Sequence, residues 1–218
     1  MNVLKNKTLR ELKNVALFYN IPYENLNKSD LVKRIFAHLL TGIIPTIPAY
    51  QSIKKMGYDL QWTLDSNEMN ALCCICNPNL LAHSYEQLVY DSIDVEEGII
   101  GLYIKKNNDV ILTCIIDIGC GNVCNKSTIA KNKFEDYIEI TLLCSNPIHR
   151  IPGIASLILD FVKQISTIIG KKYILLIVSN WGKNKSAVEF YTRNGFVPTD
   201  IKEIMLYNLG NNIINISI

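Results

Sequence analysis

Two stretches decide how this chain reads: Pro147-Ile148-His149-Arg150-Ile151-Pro152-Gly153-Ile154-Ala155, and Asn184-Lys185-Ser186-Ala187-Val188-Glu189-Phe190-Tyr191-Thr192-Arg193-Asn194-Gly195-Phe196. The first has the form P-x-x-R-x-x-G-x-A. It runs into a helical pattern, with apolar residues at Ile154, Leu157, Ile158, Phe161, Ile165, Ile168 and Ile169. Before it, residues 137–145 (YIEITLLCS) are rich in β-branched and apolar side chains, which predicts a buried strand. Pro147 ends that strand, and Gly153 lets the backbone turn tightly and approach a ligand. A strand, a short turn and a helix N-terminus follow one another. Free N–H groups and the helix dipole at such a point receive phosphate. Junctions of this kind also occur without a ligand, so the first stretch leaves both possibilities open.

The second stretch narrows them. Residues 173–179 (YILLIVS) read as another buried strand, and residues 185–194 as a helix with Ala187, Phe190 and Tyr191 on one face. Asn194-Gly195 is a helix stop in which Gly195 takes positive φ. Two strands with a helix between them predict a parallel βαβ unit. Ligands of such units sit beyond the carboxyl ends of the strands.

With these motifs in this order, residues from about 60 to 208 resemble the GNAT superfamily of acetyl-CoA-dependent N-acetyltransferases. The family signature Q/R-x-x-G-x-G/A is matched by Arg150, Gly153 and Ala155. The later element is matched by Asn184, Ala187, Phe190, Tyr191, Gly195 and Phe196. The resemblance implies an α/β fold: a mixed, mostly antiparallel sheet flanked by helices. It also implies acetyl-CoA as cofactor. By the same resemblance Leu143 and Cys144 on the strand belong to the cofactor site. Arg150, Ile151, Gly153, Ile154 and Ala155 surround the pyrophosphate, and Asn184 and Ala187 contact or order the rest of the cofactor. Tyr191 protonates the departing thiolate.

Glu139-Ile140 stands eleven residues before Arg150, an offset similar to that of the general base in the histone-acetylating branch. A carboxylate among apolar neighbours titrates high, which suits taking a proton from an ammonium group. Glu139 facing solvent on a strand edge, and Tyr191 as a packing partner of Phe190, are the alternatives. The chain departs from the family at Ile151 and Pro152, where Gly or a basic residue is usual. Pro152 has no N–H, so one potential donor is missing.

Composition bounds the rest. The 218 residues are 49% hydrophobic, ample for a core, and carry a net charge of +2. Residues 1–40 hold seven Lys/Arg against three acids, net +4, which leaves −2 for the remainder. No run reaches the roughly 18 apolar residues of a membrane span, and no signal-peptide core is evident. The expectation is an intracellular protein, cytoplasmic or nuclear, with no membrane partner. Seven cysteines then predict reduced thiols. Cys73, Cys76, His83, Cys120 and Cys124 offer zinc-ligand types, but Cys120-x-x-x-Cys124 lacks the C-x-x-C spacing and buried Cys packs as a small hydrophobe. No metal is expected.

At the N-terminus Thr8-Leu9-Arg10-Glu11 is a capping box. Leu9, Leu12, Val15, Ala16 and Tyr19 give one helix face, Ile21-Pro22 breaks it, and Asn27 to Asp30 cap a second helix carrying Leu31, Ile35 and Leu39. The pattern L-x-x-L-K…Y-x-I-P…K-S-D-L-V-x-x-I resembles the SAP-like group of nucleic-acid-binding hairpins. That resemblance implies phosphate contacts from Lys5, Lys7, Lys13, Lys28, Lys33 and Arg34. A solvated basic face, or a hairpin docked on the larger domain, is the alternative.

The expected organisation is a hairpin over 1–40, a linker over 41–57 and an acyltransferase-like domain over 58–218. Gly42, Pro45 and Pro48 argue against regular structure in the linker. Residues 62–89 read as helices starting at Asp65-Ser66-Asn67. Residues 98–106 and 109–118 read as a hairpin around Asn107-Asn108. Residues 119–135 read as an exposed loop, and 204–208 as a final strand. The function expected is acetyl transfer from acetyl-CoA to an amine, in first place a lysine of a nucleic-acid-associated protein. A degenerate fold tethered to DNA as a binding protein, and a small-molecule amine acetyltransferase, are the alternatives.

Overall fold

The computed structural model describes residues 4, 6–65, 67–69, 71–72, 99–118, 137–179, 181–201 and 203–211. Its centre is a sheet of seven strands: β1 (Asp59–Thr63), β2 (Ile99–Lys106), β3 (Asp109–Asp117), β4 (Tyr137–Ser145), β5 (Tyr173–Ile177), β6 (Val197–Pro198) and β7 (Ile204–Asn208). The order is β1-β2-β3-β4-β5-β7-β6. Among the described strands only β4 and β5 run parallel; the other pairs are antiparallel. The expected α/β class, mixed and mostly antiparallel, is what the chain forms.

Local chemistry explains the elements. Asn107 and Asn108 both take positive φ, 51° and 71°, as the tight turn between β2 and β3 requires. On one face of the sheet, Leu112, Cys114, Ile116, Ile138, Ile140, Ile174, Leu176 and Met205 join a single core. Against it lies the amphipathic helix that follows β4, spanning Ile154–Ile168, with Ile154, Ile158, Phe161, Val162 and Ile165 buried. The other face carries Met69 and Ile115 in one cluster and Tyr137, Leu175 and Ile204 in another. Met69 belongs to the helical residues 67–69, which Asp65 caps by accepting the Glu68 N–H at 2.9 Å. The Tyr103 hydroxyl ties that segment to β2 by donating to Glu68 Oε1 at 2.7 Å. Burial, and then the Glu68 carboxylate, push this hydroxyl up to about 12.

The N-terminal hairpin forms as its caps predict. Helix α1 (Leu9–Phe18) starts in a complete capping box between Thr8 and Glu11. Helix α2 (Lys28–Ile43) starts with Asn27 accepting the Asp30 N–H at 2.9 Å. Leu12, Ala16, Ile21, Leu31, Val32 and Ile35 make a core of their own. Helix α2 does not stop there: Phe36 and Leu40 belong to the main core, so one rigid element serves both.

Two expectations need correction. Residues 41–57 are largely helical rather than irregular: α2 runs to Ile43, a 3-10 turn covers Ile44–Thr46, and α3 covers Pro48–Lys55. Pro48 sits in the first turn of α3, where its missing N–H costs nothing. No side chain of its own caps that helix. The Ala49 N–H instead donates to Gln164 Oε1 of the helix after β4, at 2.9 Å. Ile44, Ile47, Ala49 and Ile53 are buried. Trp62, expected to begin a helical region, lies in β1, paired with Leu102. The expected loop at 119–135 falls outside the described residues.

Gly195 yields a prediction. Its φ of +86° is left-handed, and a Cβ there would lie 3.0 Å from Cε2 of Tyr207. Gly195→Ala should lose about 1–3 kcal/mol of stability through strain and overpacking. Urea unfolding measures it, and an unchanged midpoint would show that the turn relaxes freely.

Candidate active site

We number the helix over Ile154–Ile168 as α4 and the helix over Lys185–Arg193 as α5. The site begins where β4 leaves β5. The two pair from Tyr137↔Tyr173 to Ile140↔Leu176. Beyond that, β4 continues to Ser145 along β3 alone among the described residues. A bulge marks the point: Ile116 faces Ile140 but Ile115 faces Leu142, so Thr141 is extra. Its hydroxyl donates to the Ile115 carbonyl at 3.2 Å. Residues 137–140 are buried and 141–145 half-buried. A notch therefore opens at the carboxyl ends of the parallel pair, with Leu143 and Cys144 on its β4 side.

The turn after β4 closes one end of this notch. Asn146 pins it. The Asn146 N–H donates to the Ile111 carbonyl and its Nδ2 to the Val110 carbonyl, each at 2.9 Å. Its Oδ1 accepts the Ile148 N–H at 2.9 Å, and its carbonyl accepts the His149 N–H at 3.1 Å. His149 Nε2 lies 3.8 Å from Asp109 Oδ2. Arg150 and Pro152 are exposed, and Ile151 is half-buried. Gly153 then takes φ 84° and begins α4 with no side-chain cap. A Cβ at Gly153 would meet nothing within 4 Å, so the ground above it is open.

Among the described residues the N–H groups of Ile151, Gly153 and Ala155 have no acceptor, while that of Ile154 makes a long bond to the Ile151 carbonyl at 3.4 Å. Uncapped donors at a helix start suit an anion. Pro152 contributes none, as its chemistry dictates.

Glu139 lies in the paired half of β4. It is buried, 4% exposed, rather than facing solvent on an edge. Strand alternation puts it on the face of Tyr137, opposite α4, because Ile138 and Ile140 join the core under α4. Its cross-strand partner in β3 is Asp117, itself 6% exposed, and its partner in β5 is Leu175. Two carboxylates thus stand opposite each other on one face. Sequence reasoning overlooked Asp117. Its one signal, an acidic residue closing an apolar strand, has no meaning until the register is known.

Thr141 and Asn146 were missed as well; the turn dipeptide Asn146-Pro147 was the clue to the second.

Asn184 precedes α5, seven residues beyond the end of β5. Its Nδ2 donates to the Ser179 carbonyl at 3.4 Å, which holds the segment after β5 in shape. Ala187 packs on the main core. Tyr191 is half-buried, with its ring 5.2 Å from that of Phe190 and 5.8 Å from that of Phe196. The starts of α4 and α5 both follow the carboxyl ends of the parallel strands. The topology therefore gathers the two sequence motifs at one end of the sheet.

The candidate phosphate-binding cations do not form one equivalent set. Lys13, Lys28 and Arg34 are exposed, while Lys7 and Lys33 are half-buried. Lys7 Nζ lies 3.9 Å from Glu11 Oε1, and Arg34 Nη1 donates to the Pro22 carbonyl at 3.2 Å. Lys5 lies outside the described residues, as do Cys73, Cys76, His83, Cys120 and Cys124. Among the described residues no His/Cys/Asp/Glu group could hold a metal ion.

The fold is that of the GNAT acetyltransferases. The chain superposes on the ribosomal-protein-S18-alanine N-acetyltransferase of Escherichia coli with a TM-score of 0.51 and 14% identity, covering 74% of this chain and 99% of that one. Two more solved structures are similar. PaiA N-acetyltransferase from Thermoplasma acidophilum, in complex with coenzyme A, has a TM-score of 0.46 and 14% identity over 69% and 99% of the two chains. Tetrahymena GCN5 has a TM-score of 0.49 and 15% identity over 71% and 98%. The first carries the assignment, which is one of fold. No protein-family model and no curated protein matches the sequence.

The Asn146 pin is testable. Asn146→Ala removes a donor that holds the turn to Val110 of β3 and an acceptor that takes the Ile148 N–H within the turn. It should cost about 1–3 kcal/mol of stability in urea unfolding. A loss no larger than that of an exposed control such as Ile148→Ala would show that the turn holds without it.

Proposed function

We propose that this protein transfers an acetyl group from acetyl-CoA to an amine, with a lysine of a nucleic-acid-associated protein as the acceptor. One observation carries the reading: β4 and β5 part directly beside a glycine turn in which the N–H groups of Ile151, Gly153 and Ala155 lack acceptors among the described residues. The notch offers a polar backbone edge for an extended amide-containing arm, and the turn offers donors and open space for a diphosphate. The residues fit coenzyme A. Ile151, Gly153, Ile154 and Ala155 would hold its pyrophosphate with Arg150 nearby, Leu143 and Cys144 its arm along β4, and Asn184 and Ala187 its other side.

Acetyl-CoA supplies the acetyl group already activated as a thioester. The protein's own residues do the rest. Glu139 takes the proton from the acceptor ammonium, directly or through water, so that the amine can attack. Its burial keeps competing solvent away. A backbone N–H of the parted half of β4 donates to the carbonyl oxygen as negative charge develops there. Tyr191, held by Phe190 and Phe196, gives its proton to the leaving sulfur. The hairpin, net +4 over residues 1–40, brings the enzyme to nucleic acid and hence to the proteins bound there.

Calorimetry with acetyl-CoA tests the cofactor site. Wild type should bind, and Gly153→Glu, which sets a carboxylate over the turn, should not. Absence of binding to folded wild-type protein at about 1 mM, the weak end of specific affinity, would overturn the reading. Turnover tests the roles. Glu139→Gln and Tyr191→Phe should each lower kcat by about 10²–10⁴-fold while acetyl-CoA binding is retained. Retained activity in either variant removes that residue from the mechanism. Faster turnover of a small diamine than of lysine peptides would replace the acceptor.

A further inference from the structure

The hairpin leaves one group of side chains that neither its core nor its caps explain. Helix α1 buries Leu12 and Ala16, yet Leu17 is 62% exposed, Phe18 79% and Tyr19 41%. The reason is geometric. Ala16, Leu17 and Phe18 are consecutive, and a helix points consecutive residues about 100° apart, so one stripe cannot take all three. Asn20 then takes φ 54° and the Ile21 N–H returns to the Ala16 carbonyl at 2.8 Å, which sends Ile21 into the core and leaves residues 17–19 outside. The rings form a connected row. Phe18 and Tyr19 meet edge to face with centroids 5.0 Å apart, and Tyr19 lies 5.7 Å from His38 of α2.

Cations flank the row on both helices. Arg10, Lys13 and Leu17 recur at helical spacing on one exposed face of α1, and Arg34 stands one turn before His38 on α2. Among the described residues Arg10 and Lys13 have no ion-pair partner. The nearest acid in sequence, Glu11, is committed to its cap: it accepts from the Thr8 N–H at 2.6 Å and the Thr8 hydroxyl at 2.8 Å.

We infer that Phe18, Tyr19 and His38 form a stacking platform for single-stranded nucleic acid, with Arg10, Lys13 and Arg34 holding its phosphates. The inference rests on the nucleic-acid partner proposed above and adds which form is bound and by which side chains. Exposed rings bordered by unneutralised cations match unpaired bases on a charged backbone. A duplex keeps its base faces stacked inside and offers such rings nothing to cover. A protein partner would have to bring both apolar side chains and carboxylates to the same patch, whereas a single strand carries a base and a phosphate in every nucleotide.

Fluorescence anisotropy on the full chain tests this, with a labelled oligothymidine of about 12 nucleotides against a duplex of equal length. The single strand should bind more tightly. Phe18→Ala should weaken it by about 5–100-fold with little effect on the duplex, and Phe18→Trp should restore it. Lys13→Ala should weaken both and flatten the single-strand salt dependence by about 0.7 in log–log slope. Equal binding of both forms, unmoved by Phe18→Ala, would overturn the platform and leave the nucleic-acid partner standing. No salt-dependent binding to either form would remove that partner along with the platform. Self-association in sedimentation that Phe18→Ala abolishes, without nucleic-acid binding, would assign the patch to contact between copies.

Discussion

The parting of β4 from β5 is the constraint on which the rest of this structure depends. A parallel pair must be joined by a crossover, and here α4 supplies it, so the carboxyl ends of both strands and the starts of both following helices share one end of the sheet. Had β4 and β5 stayed paired to Ser145, their backbone groups would be consumed by the ladder. They separate after Ile140 and Leu176, and residues 141–145 keep a strand on the β3 side only among the described residues. A polar backbone edge in a half-buried notch needs hydrogen-bond partners. Under the proposed function, the amide and phosphate groups of acetyl-CoA would supply them.

The bulge at Thr141 does more than open the notch. It resets the alternation of β4, so that Ile138, Ile140 and Leu143 contribute to the core under α4 while Leu142 packs with Ile115 and Met69 on the opposite face. Glu139 falls just before that reset, on the face opposite α4 and across from Asp117. The carboxylate and the glycine turn therefore belong to different sides of one strand system. Under the proposed function, an acceptor amine and a diphosphate-bearing donor would approach from different sides of that system.

The N-terminal helices are built into this scheme rather than appended to it. Helix α2 begins in the hairpin core and ends in the main core, and α3 receives its missing cap from Gln164 of α4. Helices α1 and α2 thus fold as a hairpin, yet the second helix is continuous with the packing that supports the site. The hairpin is therefore held in a defined orientation to the sheet.

The local elements were legible from the residues alone wherever one period or one cap dominated. The strand at 137–145, the helix beginning at Ile154, the Asn107-Asn108 turn, the Thr8 capping box and the strand at 204–208 all follow from side-chain pattern and backbone preference over a few neighbours. The glycine turn and the motif around Asn184 were readable for the same reason. The linker is not legible locally, because a proline in a helix's first turn and a proline that breaks a helix look alike until a distant oxygen, here Gln164 Oε1, accepts the free N–H of Ala49. Trp62 was misplaced because the short strand β1 exists by pairing with β2, not by its own pattern. The opposition of Asp117 and Glu139, the extra residue at Thr141 and the pin at Asn146 are matters of register between strands. Register is chosen by the packing of whole faces, which no window of neighbouring residues contains.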